Sequence, residues 1–456
     1  MLYYPYSMAS KNNKHQKHEA HIVAVDMGYG HERPAHSLKY LARDGEGVIV
    51  ANNYRGIPWK DRLLWEGSRT MYETFSRAKA IPLIGKYIFG ILDQMQEIQP
   101  FYPARDLSDP SAQTRQIYSS FKLGLGRDLI DRLRDNPVPY ITTFFITAFM
   151  AEEFDYPGDI FCITTDTDIS RAWAPLDPRK SRIQYFAATG RCVERLKLYG
   201  VREENIHLTG FPLPPDLIGG ADADVAKKNL RRRLHVLDPR GVFQCKYGKI
   251  VSRTLGEIAP PRNAPVPTIM FAIGGAGAQK QLAVTIMHGL RHLIARGEIR
   301  LILCPGTRIG VAQWLERYAR YWNLGSALGK NLIIFAAKKR KIYFEEFTRL
   351  LAETDILWTK PSELSFYTGL GLPIIASYPI GSQEEYNLHW LHQVGGGVNQ
   401  PDPRYCGEWL VDWIESGALA RMAWHGFVEA PTHGAYRIEN IVFGKKIPIE
   451  ELPLIV

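Results

Sequence analysis

Two doubly wound, Rossmann-like α/β domains are the architecture this sequence predicts, and three observations predict it. Short β-type runs alternate with helical stretches along the chain, a proline-rich interval interrupts that alternation once near the middle, and 456 residues exceed one ordinary core. With 45% hydrophobic and 23% charged residues, the chain has the composition of a globular protein able to bury cores of that size.

In the first half the β-type runs are HIVAVDM from residue 21, GEGVIVANN, VPYITTFF, DIFCITTD, IQYFAAT and NIHLTGFP. In the second they are TIMFAIGG, RLILCPG, NLIIFAA, DILWTK and LPIIASYP. Helix-compatible segments between such runs read as the crossovers of a parallel sheet. Residues 1–20 lack the apolar core of a secretory signal and are expected as a disordered leader. Residues 21–215 form the first domain, 216–265 a linker or insertion, 266–440 the second domain and 441–456 a tail. Inside the linker, AKKNLRRRL is basic without interleaved aromatics, which favours a solvated helix face over a nucleic-acid patch.

Cys162, Cys192, Cys245, Cys304 and Cys406 are scattered, with neither disulfide-scaffold nor zinc spacing, so they are expected reduced in a cytoplasmic protein. No run reaches the roughly 18 apolar residues of a membrane span. The net charge of +9 suits a phosphorylated ligand, an anionic membrane surface or nucleic acid, and cannot choose among them. Segment 79–95, KAIPLIGKYIFGILDQM, has one apolar helical face with Lys79 and Lys86 nearby; core packing and an interfacial membrane helix both fit it.

Three stretches carry chemistry. After the first run, Gly28 and Gly30 permit a tight turn into a helix start, and His31 follows them. His31 is either a helix-terminal histidine bonding its own turn or a base able to take a hydroxyl proton near neutral pH, whereas His36 packs within the domain. GYGHERPA lacks the third glycine of a dinucleotide fingerprint, which lowers the standing of a Rossmann oxidoreductase. Asp166 and Asp168 end the FCITT run, as an orienting or acceptor-binding carboxylate pair or as turn caps. In TIMFAIGGAGAQKQL, Gly274, Gly275 and Gly277 form a phosphate cradle or a tight βα turn. The third stretch is residues 359–398, with Thr359, Lys360, Pro361, Ser362 and Glu363, then GLGLPII from Gly369, then Gly381, Gln383, Glu384 and Asn387.

The order and spacing of that third stretch resemble the nucleotide-sugar site of GT-B glycosyltransferases, particularly the monogalactosyldiacylglycerol synthases and, more distantly, the peptidoglycan N-acetylglucosamine transferase, the family 28 type. GYGHERPA is similar to the acceptor loop of that family, and TTDTDISRAW through TGFP, ending at Gly210, Phe211 and Pro212, is similar to the run that closes its first domain. The resemblance implies two domains facing a central crevice. It also implies inverting transfer of a sugar from a nucleotide diphosphate sugar, UDP by default, to a hydroxyl acceptor in glycolipid or cell-envelope glycan synthesis at the inner face of a membrane.

The same resemblance makes His31 the base, with Gly28 and Gly30 in the acceptor loop; Asp166 and Asp168, from their place at the strand end, are expected beside it as the orienting carboxylate and an acceptor contact. The resemblance puts Gly274, Gly275, Gly277, Lys360, Ser362, Glu363, Gly381, Gln383, Glu384 and Asn387 on the donor. Neither an obligatory metal nor a cofactor beyond the donor is implied, and no nucleic-acid partner. One position departs: Phe366 stands where the family has its ribose-binding glutamate, and Glu363 lies one helical turn earlier. A nucleotide-sugar epimerase or hydrolase of the same fold, and a non-catalytic sugar-nucleotide or lipid-binding protein, are the alternatives.

Overall fold

A computed structural model describes residues 18–43, 45–66, 98–256, 266–274, 279–379 and 381–452. Most of the leader, the 79–95 segment, Gly275 and Gly277 therefore lie outside the described residues.

Each apolar run named above contains a strand. β1 (His21–Ala24), β2 (Val48–Val50), β3 (Tyr140–Thr142), β4 (Ile160–Ile163), β5 (Gln184–Ala187) and β6 (Ile206–Leu208) form one sheet in the order β2-β1-β3-β4-β5-β6. β7 (Thr268–Ala272), β8 (Arg300–Gly306), β9 (Leu332–Ala336), β10 (Ile356–Thr359), β11 (Ile374–Ala376) and β12 (Gly397–Asn399) form the second, in the order β12-β11-β10-β7-β8-β9. All pairings are parallel, for example Val23 beside Thr142 and Ala272 beside Thr359. The central strands HIVA and TIMFA are buried at every position, because helices cover both faces of a parallel sheet and leave no side for polar alternation.

The strand orders position the site. In each sheet the chain winds to one side of its first strand and then crosses to the other, between β1 and β3 in the first and between β7 and β10 in the second. The βα loops leave such a switch point in opposite directions, and a crevice opens at the carboxyl ends of the two strands.

The helices that matter here are α1 (Tyr29–Ser37), α2 (Gly190–Leu198), α3 (Asp224–Val236), α4 (Val242–Leu255), α5 (Arg340–Glu353), α6 (Ser382–Gln393) and α7 (Gly434–Phe443). The 216–265 interval, expected as a linker, carries α3 and α4, and their Leu230, Leu234, Phe243, Val251 and Leu255 join the core under the second sheet. Its basic run is a solvated face only in part: Lys228 is exposed, but the arginines turn toward the second domain. Arg233 is 2% exposed and donates to the carbonyls of Thr354 (2.9 Å) and Leu370 (2.7 Å), while Arg232 pairs with Asp355 at 3.1 Å. Burial and the neighbouring Arg232 charge push the Arg233 guanidinium down to about 9, against the raising effect of Asp355.

α7 returns to the first sheet, where Ala435 and Ile438 pack with Ala20, Ile22, Phe161 and Phe186. The first domain thus takes its last helix from beyond residue 433. Gly434 lets the helix dock, since a Cβ there would lie 2.2 Å from the Phe211 carbonyl oxygen.

Candidate active site

At the first switch point, β1 leads through Gly28, whose φ of 114° favours glycine, directly into α1. His31 sits in the first turn, beside the loop that leaves β3. Its Nδ1 lies 2.9 Å from the Thr143 carbonyl oxygen, and Thr143 Oγ1 donates to the His31 carbonyl at 2.6 Å. A carbonyl can only accept, so Nδ1 carries the proton and neutral His31 keeps its lone pair on Nε2. Thr165 Oγ1, from the β4 exit, is 3.4 Å from the same Nδ1, and the Phe144 ring packs 4.7 Å away, centre to centre. Burial lowers the imidazole from its ordinary value to about 4, against the raising effects of the Thr143 carbonyl and the Glu363 charge. His31 is therefore neutral at pH 7.

At the second switch point, Gly274 follows β7 and Lys360 follows β10. A Cβ on residue 274 would lie 3.2 Å from Lys360 Cε, so the glycine gives the lysine its path across the loop. Lys360 Nζ pairs with Glu384 in the first turn of α6. Gly381 is the N-cap of that helix in extended backbone, Gln383 follows half-buried, and Asn387 is fully buried one turn on. Ser362 begins the short 3-10 helix Glu363–Leu370. The donor residues expected from sequence are thus brought to one end of the second sheet, apart from the two glycines outside the described residues.

Glu363, which follows Ser362, is engaged by the first domain. Its Oε1 accepts from Arg33 Nε at 3.0 Å, and its Oε2 would be 3.4 Å from a Cβ on Gly30. The cause is Arg33 itself, buried at 5% exposure with its guanidinium 4.2 Å above the Phe347 ring, an environment that requires a carboxylate partner. Phe366, in the family's glutamate position, stacks on Phe211 at 4.5 Å and belongs to the core between the domains.

The two aspartates separate. Asp168 is engaged twice by Arg195, at 2.9 and 2.7 Å, so it is a buried structural pair rather than an open acceptor group. Asp166 does not orient His31, because the Thr143 carbonyl holds that position. Its Oδ1 instead accepts from Asn387 Nδ2 at 2.9 Å, across the crevice. Burial raises its carboxyl to about 6; the Asn387 bond opposes that, and the charges of Glu363 and Glu384 add to it.

Sequence reasoning missed the residues that bring the domains together. Arg340 on α5 pairs with Asp26 (2.5 Å) and with Glu32, and Tyr29 Oη accepts from Thr307 N at 2.9 Å. Arg33, Glu32 and Tyr29 all lie inside the quoted GYGHERPA motif, but nothing local marks their partners, which are 278 to 330 residues away. Among the described residues, no three His, Cys, Asp or Glu side chains cluster as a metal site, and no helix is long and apolar enough to cross a membrane.

Two parallel six-stranded sheets with their switch points face to face, closed by a last helix that returns to the first sheet, decide the fold. The architecture is GT-B. No family model matches the chain. Over 392 residues, 83% of this chain and 82% of the relative, the GT-B chain is 22% identical to the processive diacylglycerol beta-glucosyltransferase of Bacillus pumilus (strain SAFR-032). Solved structures similar to it include MurG of Acinetobacter baumannii, with 11% identity, TM-score 0.45 and coverage of 94% of this chain and 100% of that one. The MnaA–UDP structure of S. aureus is similar at 12% identity and TM-score 0.45, covering 95% and 99%.

Proposed function

We propose that this GT-B protein is an inverting glycosyltransferase that moves a sugar from a nucleotide diphosphate sugar, a UDP-sugar, to a hydroxyl acceptor. The observation that carries the reading is the fixed tautomer of His31: Nδ1–H is held by the Thr143 carbonyl at the switch point of one domain, which leaves the Nε2 lone pair for an acceptor proton. In the reaction, Nε2 takes the acceptor proton as the acceptor oxygen bonds to the anomeric carbon. The bond from that carbon to the diphosphate oxygen breaks, and its electron pair leaves on the diphosphate.

The amides at Gly274, Gly275 and Gly277, with Lys360, receive the charge on the leaving group. Ser362, Gly381, Gln383 and Glu384 read the sugar hydroxyls. The new charge on His31 is offset by the Thr143 carbonyl and by Glu363, whose part in this reading is a counter-charge rather than a ribose contact. Asp166 and Asn387 join the acceptor side to the donor side, and Gly28 keeps the acceptor approach open. The curated relative acts on diacylglycerol by name, and together with the net charge of +9 this supports a lipid acceptor at an anionic membrane surface.

Calorimetric titration with UDP, GDP, ADP and CMP tests the donor half. UDP alone should bind, and Gly275→Asp should abolish it; no nucleotide binding at all would reject the reading in favour of a non-catalytic protein. Product analysis without acceptor separates transfer from epimerisation or hydrolysis of the donor.

A further inference from the structure

Beside the Asn387–Asp166 contact lies a cavity of about 360 Å³, lined from both domains, that His31, Asp166, Gly274, Lys360 and Asn387 do not line. Thr167, Thr189, Gly190 and Arg191 form its polar end. Phe101, Tyr102, Tyr386, His389 and Trp390 supply rings along its sides.

Two independent features of the polar end call for an acidic group. The first is the start of α2, nine residues long with Thr189 as N-cap. The amides of Gly190 and Arg191 open that helix without intrahelical acceptors and at the positive end of its dipole. The second is Thr167, 2% exposed, whose Oγ1 has no hydrogen-bond partner among the described residues. A buried hydroxyl left in that condition costs free energy that a ligand oxygen would recover. Arg191 adds the charge: its Nη1 is buried without a partner among the described residues, while its guanidinium lies 4.1 Å over the Phe101 ring. Arg195 and Asp168, which also line the cavity, neutralise each other, and the other lining carboxylate, Glu429, is an exposed residue, so Arg191 is the cation at the polar end.

The sides select the rest of the molecule. Tyr102 is 70% exposed and Trp390 half-buried, each with ring surface to offer. The volume is near the lower end of ligand pockets, which span about 300–1,000 Å³, and that suits a compact ring system better than a long chain.

We propose that this cavity binds a compact aromatic anion, an aryl phosphate or aryl carboxylate, with its acid group against Thr167, Arg191 and the start of α2 and its ring between Tyr102 and Trp390. The site is independent of the reaction assigned to the crevice. Because α6 contributes one wall and also carries Glu384 and Asn387, the ligand touches both domains and favours the arrangement in which they are close.

The test is calorimetry on the full chain with 1-naphthyl phosphate, 1-naphthol and inorganic phosphate, repeated on Arg191→Gln and on Val394→Trp, which puts a larger ring where Val394 lines the cavity. One equivalent of 1-naphthyl phosphate should bind, with 1-naphthol and inorganic phosphate at least about tenfold weaker, and each variant should weaken the naphthyl ester by about tenfold or more while melting as cooperatively as the parent. Absence of binding, equal binding of inorganic phosphate or of 1-naphthol, or undiminished binding by Arg191→Gln would each overturn the proposal.

Discussion

Asn387 Nδ2 donates to Asp166 Oδ1 at 2.9 Å, and Asn387 Oδ1 accepts from the Thr167 amide at 2.9 Å, so one buried amide of the second domain answers both a carboxylate and a backbone donor of the first. Only one orientation of the amide satisfies both, which makes the pair a register between the domains as well as a contact.

Replacing Asn387 therefore leaves two buried polar groups without their partner. Asn387→Ala is expected to destabilise the chain by about 1–3 kcal/mol for each group left unsatisfied. Urea denaturation of the variant against the parent measures it. A change below about 0.5 kcal/mol, the usual scale of a surface substitution, would mean that the bridge does not hold the domains.

His31 gives a prediction with a sign. Its folded value near 4 lies below the ordinary 6.5, so between those pH values the unfolded chain binds the extra proton and the folded chain does not. The contribution of His31 to stability is complete above about 6.5 and is lost as pH falls toward 4. His31→Gln should flatten the fall in stability over that window, and an NMR titration should find the imidazole neutral down to about pH 5. In the proposed reaction, His31→Ala lowers turnover by about 10²–10⁴ with UDP affinity nearly unchanged. An ordinary titration near 6.5, or equal loss of UDP binding, would remove His31 from the assigned role.

The strands and the two glycine-bearing switch loops were legible because a buried parallel strand writes itself as a local apolar run and its exit as a local turn. β12 was not, since its three residues Gly397–Asn399 follow a glycine run and carry one apolar side chain. Nor was the fate of the basic run in α3. Charge pattern predicts a solvated face, but Arg233 instead meets carbonyl groups at the end of α5 and of the 3-10 helix, more than 115 residues away in sequence. The same limit applies at the site. The Gly30-His31 motif could be read, but the pairing of Arg33 with Glu363 depends on how two domains meet, and no local period encodes that.

Glu32 offers a second pH window. Burial raises its carboxyl to about 7, partly offset by Arg340, which it shares with Asp26. A folded value above the ordinary 4.5 means that the folded chain keeps the proton longer. This contribution to stability is complete below about 4.5 and is lost as pH rises through about 7. The neutral Glu32→Gln has no such titration. Its melting temperature relative to the parent should therefore rise steadily from pH 5 to pH 7.5, as differential scanning calorimetry would show. A difference constant across that range would place the Glu32 carboxyl in an ordinary, well-solvated state.

Gly306 tests how closely the domains approach. At the exit of β8 its φ is 73°, and a Cβ there would lie 2.2 Å from Tyr29 Oη, the hydroxyl that accepts from Thr307 N. Gly306→Ala thus carries two costs: about 1–2 kcal/mol for a left-handed non-glycine residue, and the displacement of Tyr29 from the second domain. Tyr29→Ala removes the second cost in advance. In that background Gly306→Ala should fall to the backbone cost alone, so a double-mutant cycle should give a coupling of about 0.5–3 kcal/mol, as for residues in direct contact. Small-angle X-ray scattering should show Gly306→Ala with a larger radius of gyration than the parent. Additive costs with an unchanged radius would mean that Tyr29 does not rest on this glycine in solution, and the close approach of α1 to the second domain would then depend on its other contacts, among them the Arg33–Glu363 and Arg340 pairs and His36, which packs on Phe344 of the second domain rather than within its own.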